Sequence, residues 1–483
     1  MYKRLIYFTI LTLIGIGAFL RLYDLSGFIT FLGDQGRDAL IVKRIVTFEH
    51  FPSIGAPSSV GMVYLGPFYY YLIAPFILLT NFNPVGLAYG VAFMSIAGII
   101  ISYLIVRKLV DERTAISFLI FSVFSYALVY LSRFSWNPNL LPIFTFMTLF
   151  FFYQWLQSKK QLMSMLFGAF LSFTIQLHYL ALFLFLPLLI VYGVQIFQEK
   201  KRKELFTGLV PAILSFVFFS SPLILFDLRH NFLNARNFIA LFTEGKVDSA
   251  TPIMNRMLQT VQQFFLHSLQ IEMNETLALV FFLLVIAFFV VLIKRTKSQF
   301  LLLHGLTFIS FIVLFAFLES ARHLHYFGPA YLSFYLILSA ALFQIPIKIM
   351  RYVSMIIVIG VFIFFNVGHY AFLWKEPNSQ IEYAKKIAES FKPHITSEPI
   401  QVVTIPFTES DGHYRYFIDL EGYDLLAHDS PVQAEELFVM CFTECTPTGD
   451  PQWQIAAFSD KKLVDSWSIS NVTIYKIIHN KTN

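Results

Sequence analysis

Charge is scarce in this sequence. Lys, Arg, Asp and Glu make up 13% of its 483 residues, about half the share of a soluble globular domain. Cysteine is nearly missing: two residues cannot build a disulfide framework. The balance of 35 basic against 30 acidic side chains leaves +5, too little to hold nucleic acid. There is no GxGxxG, no Walker loop and no GxSxG element, so dinucleotide, nucleotide triphosphate and serine-hydrolase chemistry have no signature here. What is abundant is apolar: 57% of residues are hydrophobic, with 57 Phe and 24 Tyr. Surface of that kind needs lipid as solvent, which excludes a soluble enzyme, a disordered chain and a secreted scaffold.

Crossing about 30 Å of hydrocarbon takes around 20 helical residues. Runs of that kind fall at about 5–22, 84–106, 114–131, 140–157, 162–177, 180–197, 205–226, 276–293, 299–318, 327–344 and 352–373. The first follows Lys3 and Arg4 and has no small-residue cleavage site after it, so it reads as a signal anchor. The basic clusters are Lys3-Arg4, Arg107-Lys108 with Arg113, Lys159-Lys160, Lys200 to Lys203, Lys294-Arg295 with Lys297, and Lys348 with Arg351. The positive-inside rule puts all of them in the cytoplasm. Residues 66–80, GPFYYYLIAPFILLT, are apolar but short and carry Pro67 and Pro75; counted as a span they would move Arg107-Lys108 outside. They read instead as a re-entrant or interfacial helix. Eleven spans then satisfy every cluster, with the N-terminus in the cytoplasm.

The expected architecture is an all-α, multi-pass protein of the cell (inner) membrane, residues 1–373, with a first outer loop over 23–83. Residues 374–483 form a small extracytoplasmic α/β domain, because composition becomes mixed and QVVTIPF and NVTIYKII alternate as strands do. Cys441 and Cys445 lie there, either bonded or as two thiols.

This topology sorts the unusual polar residues. The first outer loop holds Asp24, Asp34, Arg37 and Asp38. Later outer turns hold Arg133; Gln176, His178 and Tyr179; Asp227, Arg229 and His230; and Glu319, Arg322, His323, His325 and Tyr326. All fall on one side of the membrane, and ionisable residues gathered at span ends suggest a site there. Within GDQGRD, Gly33 and Gly36 allow a tight turn, and Asp34, Arg37 and Asp38 are spaced i, i+3, i+4, one face of a helix. Leu40, Ile41, Ile45 and Phe48 suit a helix lying on the membrane surface. Asp34 suits either a helix start or a general base at the water–lipid boundary. Arg322, His323, Arg133 and Arg229 are candidates for holding a phosphate, since Arg binds it bidentately. Arg37, Tyr69, His178, Tyr179, His230, His325 and Tyr326 are candidates for lining the donor or acceptor pocket. His323 and His325 lack the further ligands a zinc site needs.

Taken together, GDQGRD in an outer loop after the first span, GPFYYYL, Ser132-Arg133 before Asn137-Pro138-Asn139, and RHLHYFGP resemble the GT-C glycosyltransferases of family 39. That group includes the protein O-mannosyltransferases and the lipid A aminoarabinose transferases, and the resemblance covers about the first 370 residues. It implies a GT-C fold of about 11 transmembrane helices plus juxtamembrane helices. It implies transfer of a sugar from a polyprenyl-phosphate donor to a glycan, lipid or protein acceptor on the outer face. Asp34 matches the family's catalytic carboxylate, with Asp38 nearby; Arg322 and Arg133 match the family's later and earlier arginines. Many relatives carry Asp-Glu where this chain has Asp34-Gln35, and the Asp that often follows the earlier Arg is replaced by Asn-Pro-Asn. Two carboxylates beside a phosphate suit either a divalent cation, Mg or Mn, or metal-free catalysis; no cofactor is otherwise implied and metal ligands stay unassigned. A transporter or lipid-linked glycan flippase is the competing class, and a membrane-embedded polymer ligase or sensor a third. Repeated halves and mid-membrane charges, the marks of a transporter, are missing from the sequence.

Overall fold

The computed structural model describes residues 2–58, 62–198, 202–243 and 251–480. Lys200 and Lys201 of the fourth basic cluster lie outside them. Each of the eleven apolar runs is helical: Tyr2–Leu22, Val85–Leu109, Glu112–Phe124 continued by Tyr126–Leu131, Leu141–Ser158, Gln161–Leu177, Phe185–Gln198, Arg202–Arg229, Glu275–Thr296, Gln299–Phe315, Gly328–Leu342 and Lys348–Gly368. Seven helical segments among the described residues are long and apolar enough to cross a membrane by themselves. The others are shorter or interrupted. Ser125 breaks one run: its backbone is extended, its hydroxyl accepts from the Leu128 amide at 3.3 Å, and it meets the Tyr335 hydroxyl at 2.8 Å.

Side chains near span ends supply the caps that lipid cannot. Asp111, Asn274 and Ser298 accept from the amides of Thr114, Leu277 and Leu301 at the starts of three spans. One buried cation lies near the end of the first span. Arg21 is wholly buried and donates to the carbonyls of Gly17 and Ser122 and to the Ser95 hydroxyl, which locks three spans together.

The segment 66–80 forms a helix over Phe68–Leu78 that contains Pro75. Eleven residues rise about 16 Å, half the hydrocarbon thickness, so it cannot cross. The surface helix foreseen around GDQGRD runs over Gly33–Val46. The loop between Arg229 and Glu275 holds two helices that periodicity had not disclosed, Leu233–Thr243 and Ile253–Leu269.

After Gly368 the chain passes through a helical turn at Ala371–Trp374 and the helix Gln380–Glu389 into a four-stranded sheet. Its strands are β1 (Ile400–Ile405), β2 (Glu436–Cys441), β3 (Lys461–Ile469) and β4 (Val472–His479), in the order β1-β2-β4-β3. β1 and β2 are parallel, joined through the helix Gly412–Leu420; the other pairs are antiparallel. β1 and β2 are buried along their whole length, whereas β3 is an exposed edge. Cys441 and Cys445 are joined by a disulfide.

The domain is docked on the first loop through bare backbone. A Cβ on Gly36 would lie 2.3 Å from the Gly412 carbonyl carbon, and one on Gly412 would lie 2.3 Å from the Gly33 carbonyl oxygen. Gly33 and Gly36 therefore do not make the tight turn expected of them. Both sit within a helix and let the helix Gly412–Leu420 approach closely. Around that contact, Lys43 pairs with Asp419 at 2.7 Å, Tyr416 donates to the Phe82 carbonyl, and Phe31 packs edge-on against Tyr416 and Phe417.

Candidate active site

Three side chains of the first-loop helix meet as their spacing required. One Nη of Arg37 donates to Asp34 at 2.8 Å, while its Nε and other Nη donate to a single Asp38 oxygen at 3.0 and 2.7 Å. The two acids differ in setting. The Asp34 side chain is 51% exposed and the Asp38 side chain 0%. Asp38 also accepts from the Tyr70 hydroxyl at 2.9 Å, and its second oxygen is buried without a partner. Burial pushes the Asp38 carboxyl up, against the pull of Arg37 and Tyr70. Burial would lower Arg37, but Asp38, Tyr70 and Asp34 outweigh it and hold the guanidinium above its ordinary value.

Gln35, next to Asp34, turns inward. Its side-chain oxygen accepts from the Leu32 amide at 3.1 Å, one of the orphan donors at a helix start. It closes the helix and takes no part in the cluster.

From Asp38 a run of contacts leads across neighbouring turns at the same end of the helices. Tyr70 lies beside Tyr69, and the Tyr69 hydroxyl meets Ser135 Oγ at 2.9 Å. The neighbouring Trp136 lies 4.5 Å, ring to ring, from His325. His325 packs on Tyr326 at 4.3 Å, parallel to His323 at 5.7 Å, and 6.3 Å from His178. His178 Nδ1 accepts from the Leu180 amide, which puts its proton on Nε2. Burial lowers His178 to about 4; burial, with His178 and the other nearby imidazoles, lowers His325 to about 3. Both are neutral N–H donors at neutral pH. Tyr179 ties in the remaining loop: its hydroxyl donates to the Tyr64 carbonyl at 2.5 Å, and Asn234 binds the Tyr64 backbone in both directions. Four turns and the first loop thus converge at one end of the helices, on the same side as the C-terminal domain.

Not every residue singled out from the sequence joins this arrangement. Arg133 donates to the carbonyls of Leu20, Tyr23 and Asp24 and lies 3.8 Å above the Phe372 ring, and burial lowers it to about 10. Arg322 binds the Thr260 hydroxyl and the carbonyls of Ser320 and Leu318 and stacks on Phe315; burial, then Arg256, lowers it to about 10. Both arginines are committed to protein oxygens, so they hold turns together. Arg229 and His230 are exposed at the end of Arg202–Arg229, with His230 stacked on Phe226 at 4.2 Å; neither contacts the acid pair. The reading from sequence named Tyr69 and passed over Tyr70, although the two are adjacent in GPFYYYL; only the phase of the helix shows which hydroxyl reaches Asp38.

Among the described residues no group of three or more His, Cys, Asp or Glu is placed to hold a metal ion. Arg37 lies between the two acids, where a divalent ion would have to sit, so this donor set does not fit one.

Comparison with known proteins places this architecture. Aligned over 98% of this chain and 98% of that one, ArnT from Cupriavidus metallidurans bound to undecaprenyl phosphate gives a TM-score of 0.63 at 12% identity. Its apo form gives 0.62, with 98% and 97% covered. The chain shares the fold of ArnT. The archaeal oligosaccharyltransferase AglB from Archaeoglobus fulgidus, in complex with an inhibitory peptide and a dolichol-phosphate, aligns with 91% of this chain and 69% of its own at a TM-score of 0.50 and 12% identity. Residues 65–225 match the family model of dolichyl-phosphate-mannose-protein mannosyltransferase. No curated protein matches the sequence. The chain is a multi-pass membrane protein, and its acid pair, Asp34 and Asp38, lies N-terminal to the segment that the family model matches.

Proposed function

We propose that this GT-C protein transfers a sugar from a polyprenyl-phosphate donor to an acceptor hydroxyl on the outer face of the membrane. One observation carries the reading. A half-exposed carboxylate, Asp34, is fixed by Arg37, which is itself fixed by a buried second carboxylate, and a run of contacts from Asp38 through Tyr70, Tyr69 and Ser135-Trp136 reaches the neutral imidazoles of His325 and His178. The structural likeness to ArnT bound to undecaprenyl phosphate and the match at 65–225 favour a lipid-phosphate donor.

Asp34 is the general base. Its carboxylate takes the proton of the acceptor hydroxyl as that oxygen attacks the anomeric carbon. The bond from the anomeric carbon to the lipid phosphate breaks on the opposite side, the phosphate leaves with the electron pair, and the anomeric configuration inverts. Asp38 and Tyr70 position Arg37, and Arg37 positions Asp34. His178, His323, His325 and Tyr326 supply hydrogen-bond donors for charge developing on the departing phosphate. Arg322 acts through this group, because its bonds to Leu318, Ser320 and Thr260 shape the turn that carries His323 and His325. No step is routed through a metal ion.

The test is transfer by the full chain in lipid nanodiscs, supplied with a pool of polyprenyl-phosphate sugars and cell-envelope acceptors. The readout is release of polyprenyl phosphate and sugar incorporation. Asp34→Asn is expected to lower transfer at least about 100-fold, the share general base catalysis contributes, while melting as the wild type does. Wild-type rates in that variant would remove Asp34 from the role.

A further inference from the structure

A second concave surface lies beside the imidazoles, outside the acid cluster. It is an open cleft of about 910 Å³, lined by Tyr126 and Tyr130, by Gln259, Gln262, Gln263, Leu266, His267 and Gln270, by Glu275, and by Ser320 to Leu324. That volume is at the upper end of the range for ligand sites.

The helix Ile253–Leu269 is built for this cleft. Val261, Phe264, Phe265 and Ser268 are buried in the bundle. Gln259, Gln263, Leu266 and His267, with Gln270 just beyond, recur at three- and four-residue intervals and share the other face. Two of these amides serve the fold: Gln262 donates to the Met273 carbonyl and Gln270 to the His267 carbonyl. The side-chain amides of Gln259 and Gln263 have no hydrogen-bond partner among the described residues. Across from them, Tyr126 and Tyr130 stand stacked, 5.8 Å between centroids, and Tyr130 is 40% exposed.

These features define a ligand class. Free carboxamides offer a donor and an acceptor side by side, which matches neighbouring hydroxyls. Exposed aromatic rings offer an apolar face for the C–H side of a pyranose. The one arginine in the cleft, Arg322, has all three nitrogens bound to protein oxygens, so no free guanidinium awaits a phosphate or carboxylate. An open cleft admits a chain that continues past its ends. His323 lines the cleft and is stacked on His325 at 5.7 Å, the imidazole that packs beside Trp136.

We propose that this cleft binds a neutral glycan chain, which makes the acceptor a carbohydrate. The assignment deepens the transferase reading and rests on it for the word acceptor; the binding itself does not.

The experiment is saturation-transfer NMR on the full chain in lipid nanodiscs. The probes are neutral hexasaccharides of glucose, mannose, galactose and N-acetylglucosamine, with a hexuronate oligomer as the acidic counterpart. The wild type is expected to bind at least one neutral probe and to bind the hexuronate more weakly. Gln259→Ala/Gln263→Ala should weaken that binding about tenfold without changing melting, since both amides are unpartnered. Asp34→Asn should bind as the wild type does, so loss of transfer with retained glycan binding would separate the two readings. The cleft assignment is overturned if no neutral probe binds, if the hexuronate binds as tightly, or if the double variant binds unchanged.

Discussion

At the scale of single residues, the two aspartates in one hexapeptide have different tasks because their surroundings differ. Asp34 is half exposed, and Asp38 is walled in by Arg37 and Tyr70. Sequence spacing placed all three charged groups on one face of a helix. It could not rank the acids, because burial is set by the helix Phe68–Leu78 crossing behind Asp38. Nor could it show that Gln35 is a helix-start residue, or that Arg133 and Arg322 donate to carbonyls; an arginine bound to backbone looks, in sequence, like one awaiting a phosphate. The up-shifted Asp38 gives a pH signature. Its folded-state affinity for a proton is raised, so as pH falls it is protonated before an ordinary aspartate near 3.9, and Arg37 then loses its anchor. Transfer should therefore decline on the acid side above the ordinary carboxylate range. Asp38→Asn should lower the rate about 10- to 100-fold and abolish that early decline. A pH–rate profile with the same acid limb in the variant would contradict the assignment.

At the scale of elements, what was legible is what one element reveals by itself. The eleven apolar runs, the short Pro-broken helix and two of the four strands follow from run length and alternation. Contacts between distant segments were not legible. Gly33 and Gly36 look like turn residues next to an acid; their purpose depends on Gly412. The helix Ile253–Leu269 was hidden because its glutamines break the apolar run that marks a span, leaving an amphipathic stripe inside a long loop. The glycine contact predicts a position-dependent cost. Gly36→Leu must push the C-terminal domain off the first-loop helix and destabilise the protein by about 1–3 kcal/mol. Gly15→Leu, where an added Cβ meets nothing within 4 Å, should be close to neutral. Hydrogen exchange in the helix Gly412–Leu420 checks this: faster exchange is expected in the first variant alone, and equal exchange in both would mean the close approach does not hold the domain.

At the scale of the whole molecule, the spans organise a rim. Five loops from distant parts of the chain meet at one end of the bundle, and the C-terminal domain covers the first of them through Lys43–Asp419 and the glycine contact. The positive-inside reading foresaw that these loops share a side, because charge counting constrains topology even where it says nothing about contacts. The fold then sets a lipid-facing bundle beneath a polar platform, the division of labour that the proposed lipid-phosphate donor and hydroxyl acceptor require. The most direct measurement of that arrangement is labelling of Asp34→Cys and His323→Cys, each in the full chain, with a membrane-impermeant maleimide on intact cells. Both positions are exposed, and the native cysteines are tied in a disulfide. The account predicts that both variants label from outside without lysis. Labelling of either one only after the membrane is opened would contradict it.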